Sequence, residues 1–276
     1  MNRKWFAFPY LVWMLVFIVA PFVLILVFSF LTKNGLGEVS FTFDNYKHFL
    51  FFDDGRLSTN VMVLVNSLWI ALLSTVICLL IGYPVAYFLA RGGLKGRGLL
   101  ILLFILPMWM NFLLRTYALM GYLSVNSVLN RWANFLGFSI SGNQAAVTIG
   151  MVYNYLPFMI LPIYSVLKKM DPHLIEAAQD LGANRRQVFT RITLPMSVSG
   201  IMSGVTMVFM PAVSTFAIAR ILSGKMVKTF GDIIEEQIFI DKYYGSALSI
   251  VVMVFVLISM AIFARFNKGQ EGGRLW

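Results

Sequence analysis

Cys78 is the only cysteine, and the two histidines, His48 and His173, stand far apart without the spacing a metal site needs. Paired acids, a histidine cluster or a nucleophile with its base facing the membrane would mark a membrane-embedded enzyme, and no such group is found in the apolar stretches. Gly224-Lys225 is followed by Met226, without the earlier glycine or the following hydroxyl of a phosphate-binding loop, so this chain is not expected to hydrolyse ATP. Asp53-Asp54-Gly55 lacks the further ligand positions of a calcium or magnesium loop and reads as a turn. What remains is the chemistry of recognition, in three places. One is the polar stretch EAAQDLGANRRQVFTRITLP, residues 176–195. Another pairs LPMWMNFLLRTYAL (106–119) with VYNYLPFMILPIYSVL (152–167), where aromatics, amides and one arginine interrupt an apolar background. The third is the acidic group Asp232, Glu235, Glu236 and Asp241.

The elements that position these residues are membrane spans. The chain is 59% hydrophobic and 12% charged, with a mean hydropathy of +0.80. A soluble protein of this size has too little interior to hide so much apolar surface, so the class is all-α integral membrane, as one domain. Charge-free stretches occupy residues 5–32, 57–90, 98–114, 132–167, 192–219 and 243–264. A helix needs about 20 residues to cross a hydrocarbon core of about 30 Å. Six spans are therefore expected, near 9–32, 61–90, 98–122, 143–167, 196–219 and 244–265. The third of them runs on through Arg115. The first apolar run, Phe6 to Leu31, is too long for a cleavable signal peptide. No Asp or Glu falls inside a predicted span, which argues against a self-sufficient secondary transporter with coupling carboxylates.

Charge fixes the direction. One side of a six-span chain receives thirteen basic residues and four acids, the other nine and eight. The net +10 is thus an asymmetry across a lipid bilayer, not a nucleic-acid footprint, and both termini are expected in the cytoplasm. The segment 168–195 is then cytoplasmic too. Asp171 can cap a first helix with Pro172 in its opening turn, Leu174, Ile175, Ala177, Ala178 and Leu181 form an apolar stripe, and Gly182 suits a left-handed stop. Asn184 can cap a second helix carrying Arg185, Val188, Phe189 and Ile192, and Pro195 begins the return to the membrane.

Glu176-Ala177-Ala178, then Gly182, then Ile192-x-Leu194-Pro195 has the spacing of the signature loop in membrane subunits of binding-protein-dependent ABC importers, and resembles it at every defined position. The resemblance implies a type I importer permease fold whose coupling hairpin docks on a cytoplasmic ATPase subunit. It implies Glu176, Ala177, Ala178, Leu181, Gly182 and Arg185 as docking residues, with ATP and Mg held by an ATPase dimer and no cofactor on this chain. It further implies a bacterial inner-membrane location, a second permease subunit in a heterodimer, and an extracytoplasmic binding protein. Pro107, Trp109, Asn111, Arg115 and Tyr117, with GYPVAYFLAR (82–91) and residues 152–167, resemble permeases of the spermidine/putrescine import system, best the first of its two membrane subunits. Ferric iron, sulfate and phosphonate permeases share the coupling loop.

The expected pathway residues are Trp109, Asn111, Arg115, Tyr117, Tyr153, Asn154 and Tyr155. Carboxylates and aromatic faces replace water around an amine; the aromatics are here, the carboxylates are not inside any predicted span, and Arg115 repels an amine unless it is paired. Asp232, Glu235, Glu236 and Asp241 are expected to attract cations or to receive the binding protein.

Overall fold

The computed structural model describes residues 4–33, 38–51, 58–92, 96–125, 127–135 and 140–271. The Asp53-Asp54-Gly55 turn lies outside these, as do Arg3, Arg56, Lys95 and Arg274 of the charge pattern. Helix α1 (Lys4–Met14) passes through a π-turn (Leu15–Val19) into α2 (Ala20–Ser29). A short antiparallel ribbon follows, β1 (Leu31–Lys33) with β2 (Val39–Phe41), in which Leu31 faces Phe41. Next come α3 (Asp44–Leu50), α4 (Thr59–Arg91), α5 (Arg97–Trp109), α6 (Phe112–Leu123), α7 (Val128–Phe135) and α8 (Gln144–Lys169). After them lie α9 (Pro172–Asp180), α10 (Arg185–Val188), a second π-turn (Phe189–Thr193), α11 (Leu194–Ser214), α12 (Ala217–Ser223), α13 (Phe230–Ile240) and α14 (Lys242–Glu271).

Among the described residues, five helical stretches are long and apolar enough to cross a membrane: Phe8–Ser29, Thr59–Arg91, Gln144–Lys169, Arg185–Ser214 and Lys242–Arg265. The place of the third expected span is taken by a bent pair, Gly98–Trp109 and Phe112–Leu123, which meet at 100°. A continuous helix over 98–122 is therefore corrected to two half-helices. Pro107 has no N–H to extend the ladder, Met110 turns extended (φ −75°, ψ 147°), and the Asn111 side chain caps the new helix by accepting from the N–H groups of Leu113 and Leu114.

The fifth span is corrected in the same way. It starts at Arg185 and stops at Ser214, not at 219. Pro211 removes a donor in the last turn, the Ser214 hydroxyl lies within reach of the Met210 and Pro211 carbonyls, and Thr215 is extended (φ −71°, ψ 137°). Nor does Pro195 open a separate element. The π-turn before it, with Leu194 N–H donating to Phe189 O, accommodates a residue that has no donor of its own. The hairpin's second arm is thus the first turns of the fifth span.

The chain expected as one domain packs as two compact units, residues up to 65 with 229–257, and 66–228 with 258 onward. In the second unit α8 is the axis: Val147, Met151, Met159, Ile160, Ile163 and Leu167 are all buried. Gly200 and Gly204 let α11 lie against it, since a Cβ on either would come within 3.1 Å of backbone atoms of α8. Small residues four apart are the usual means of bringing two membrane helices this close. In the first unit Phe30 packs against Phe41, Phe43 and Tyr46, and Asn45 ties α3 to the end of α2 and to the ribbon.

Candidate functional site

Two places in the second unit gather the residues singled out by type and spacing. The first is the cytoplasmic-type hairpin. Asp171 Oδ1 accepts the His173 N–H at 3.0 Å with Pro172 in the first turn of α9. Gly182 ends that helix at φ +85°, where a side chain would be strained although space is open around it. Asn184 and Gln187 then form a reciprocal capping box at the start of α10. These local expectations hold.

Their product is a bare apolar edge. Leu181 is 89% exposed and Leu174 46%, Ala177 is exposed, Ala178 half-buried, and Arg185 lies on the surface. Glu176 sits on the same helix, its carboxylate 3.0 Å from His173 Nδ1. Packing within the second unit leaves Leu181 bare.

The hairpin is fastened to the spans through a residue that the sequence reading did not single out as functional. Phe189 sets its ring edge-to-face against Tyr83 (5.9 Å) and Tyr87 (5.7 Å) of α4. One turn further, the Tyr83 hydroxyl meets Ser197 Oγ at 3.0 Å. An aromatic clamp and a buried hydrogen bond thereby join the foot of the hairpin to α4 and α11.

The second place is a cleft of about 390 Å³, bordered by both helix breaks. Met110 and Phe112 line it from the first break, Ser214 and Thr215 from the second, and Arg115, Asn154 and Tyr155 from α6 and α8. Non-helical backbone inside a bilayer is tolerated where it faces protein or a wet cavity, and here two interruptions share one cavity.

Arg115 holds this arrangement together. It is 6% exposed; its Nε donates to Asn154 Oδ1 at 2.9 Å and its Nη1 to the Pro107 carbonyl at 2.7 Å. Asn154, 0% exposed, passes its own amide protons to Gly150 O (2.9 Å) and Thr116 Oγ1 (3.3 Å). The guanidinium thus neutralises the negative end of the α5 dipole and pins α6 and α8 to the broken span. The Tyr153 ring adds a cation–π contact at 5.8 Å. Its partners are a carbonyl, an amide and a ring, and no carboxylate among the described residues lines the cleft.

Of the seven expected pathway residues, Arg115, Asn154 and Tyr155 meet in the cleft, where Tyr155 shares a hydrogen bond with Thr215. Trp109 (81% exposed) and Tyr117 lie bare on α5 and α6, and Asn111 is spent as a helix cap. Ser214 and Thr215 were not foreseen; Pro211 followed by Ser214 was the signal.

The acidic group divides as well. Asp232 is buried, and its Oδ2 accepts from the Thr229 N–H and hydroxyl at 3.0 and 2.7 Å, so it caps α13 and cannot serve as an exposed docking acid. Glu235 and Glu236 are half-buried on α13. Asp241 caps α14 through the N–H groups of Tyr243 and Tyr244.

Residues 56–271 match the family model described as binding-protein-dependent transport system inner membrane component. The chain is 38% identical over 265 residues to the spermidine/putrescine transport system permease protein PotB of Haemophilus influenzae, covering 93% of this chain and 91% of that protein. It is 36% identical over 268 residues to PotB of Escherichia coli K12, covering 93% and 94%. A solved bacterial alginate ABC transporter, in complex with its alginate pentasaccharide-bound periplasmic protein, has a chain that superposes with a TM-score of 0.69 at 17% identity over 96% of each chain. That likeness is one of fold.

Proposed function

From a chain that belongs to the inner membrane component family of binding-protein-dependent transport systems, we propose a permease subunit that passes polyamines, spermidine or putrescine, into the cytoplasm. The observation that carries this reading is 38% identity sustained over 93% of the chain to a spermidine/putrescine permease. The cleft supports it: Phe112, Tyr155 and Phe158 offer faces to a methylene chain and its amines, and the α11 carbonyl end brings partial negative charge. Arg115 does not oppose an amine at full strength, because its charge is directed into the Pro107 carbonyl and the Asn154 amide.

The partners follow from the surfaces. An ATPase pair, which binds ATP and Mg, receives the exposed edge of α9. A second permease subunit covers part of the bare apolar surface that includes Trp109 and Tyr117. An extracytoplasmic binding protein delivers the polyamine on the face opposite the basic excess, with both termini of this chain in the cytoplasm. Closure of the ATPase pair moves the hairpin, and Phe189 carries the movement to α4. Proteoliposomes holding the four-component system are expected to accumulate labelled spermidine only with ATP inside and loaded binding protein outside. Accumulation of a different solute in place of spermidine removes the polyamine reading.

A further inference from the structure

The first unit holds a cavity of about 390 Å³ built from β1, α3, the start of α4, the end of α13 and the cap of α14. Among the described residues, each of its lining side chains carries a polar atom, two are the carboxylates of Asp44 and Asp241, and none is Lys or Arg. In a chain that is 59% hydrophobic, such a lining asks for a ligand. Its size falls in the range of small-molecule sites.

Asn45 shows which chemistry the cavity offers. It is 7% exposed, and both its amide protons are spent, on Ser29 O at 3.1 Å and Leu31 O at 2.9 Å. Those two bonds fix the amide, so that what remains is Oδ1, an acceptor without a partner among the described residues. Asn60 donates its Nδ2 to the Tyr244 hydroxyl at 2.7 Å, and its Oδ1 has no partner among the described residues. Fixed acceptors beside two carboxylates suit a group that only donates.

Among the described residues, the nearby cations leave room for one more. Lys242 lies over the rings of Phe28 and Tyr243, 5.0 Å from each. Lys47 reaches Asp44 at 3.4 Å, but both side chains are largely in solvent, where such a pair is readily exchanged. The Thr42 hydroxyl, and after it Lys47, hold the Asp44 carboxyl below its ordinary range, so it stays charged. Among the described residues, no three His, Cys, Asp or Glu are grouped to hold a metal ion.

We propose that this cavity receives a primary ammonium group, one end of a polyamine. The inference rests on the polyamine reading and deepens it: the first unit holds the carboxylates that the described lining of the cleft lacks. The ammonium's three N–H groups are met by Asn45 Oδ1, Asn60 Oδ1 and the carboxylate of Asp241 or Asp44.

The test uses the assembled transporter in nanodiscs without binding protein, with radiolabelled spermidine as the probe. Asp44→Asn with Asp241→Asn keeps both side-chain shapes and the α14 cap while removing two charges. Spermidine affinity is expected to fall about tenfold or more. Gln237→Glu, which adds a carboxylate to the lining, is expected to raise it several-fold, a gain that misfolding cannot produce. Unchanged affinity in both variants overturns the proposal. So does unchanged affinity with weakened docking of the binding protein, which would assign the cavity to a lysine of that protein. If the wild-type system neither binds nor accumulates spermidine, the polyamine reading fails and the cavity's role with it; normal wild-type uptake beside indifferent variants sinks the site alone.

Discussion

Glu176→Lys is expected to leave the protein folded in the membrane while ATP-driven uptake falls by about two orders of magnitude and the ATPase subunits no longer copurify. The helix that carries Glu176 is held by the Asp171 cap and the Gly182 stop, and the substitution touches neither. Its loss inside this chain is one exposed contact to His173, so stability should change by no more than about 0.5 kcal/mol. At a docked interface the same reversal puts a cation against a surface built for an anion, which costs about 2–5 kcal/mol, and 1.4 kcal/mol is about tenfold in affinity. Quantitative copurification and spermidine uptake read the two effects separately. Normal uptake with a firmly attached ATPase would mean that α9 is not the docking element.

Arg115→Met carries the other large effect, and it acts on the cleft. Removing the guanidinium strands Asn154 Oδ1 in a fully buried position and leaves the end of α5 without its cation. Each buried acceptor left unpaired costs about 1–3 kcal/mol, so about 2–4 kcal/mol of stability should go, together with uptake. Arg115→Lys is expected to recover only part, because one ammonium cannot reach in two directions as the planar guanidinium does. Thermal unfolding of the assembled complex, followed beside spermidine uptake, checks both variants. A methionine variant that melts and transports like wild type would show that the break is held by something else.

Arg115 also marks how far the sequence could be read. An arginine inside an apolar run announces a cost, but its answer lies on another helix, in Asn154, and only packing brings the two together. Signals that act within a turn were legible. Asp171-Pro172, Gly182 and Asn184 each specify a backbone state through their own side chain or lack of one, and each is found in it.

The two breaks were harder because hydropathy runs through them unchanged. Pro107 with Asn111, and Pro211 with Ser214, wrote the interruptions in residues that are also tolerated inside continuous spans. Asp232 was misassigned for a related reason. The spacing Thr229-x-x-Asp232 is a capping box, and a capping acid turns inward, where charge counting places it at the surface. The ribbon of three-residue strands carries too short an alternation to be seen, and the Phe189 clamp joins residues that share no local pattern.

A single thiol on α9 tests the central claim most directly. Cys78 is the only cysteine and is buried, so Cys78→Ser with Ala177→Cys leaves one reactive group, on the exposed edge of the hairpin. In inside-out vesicles a membrane-impermeant maleimide is expected to label it rapidly when the ATPase has been stripped away, and slowly once the ATPase is restored. Labelling from the outside of intact cells, or labelling that the restored ATPase does not slow, would contradict the account.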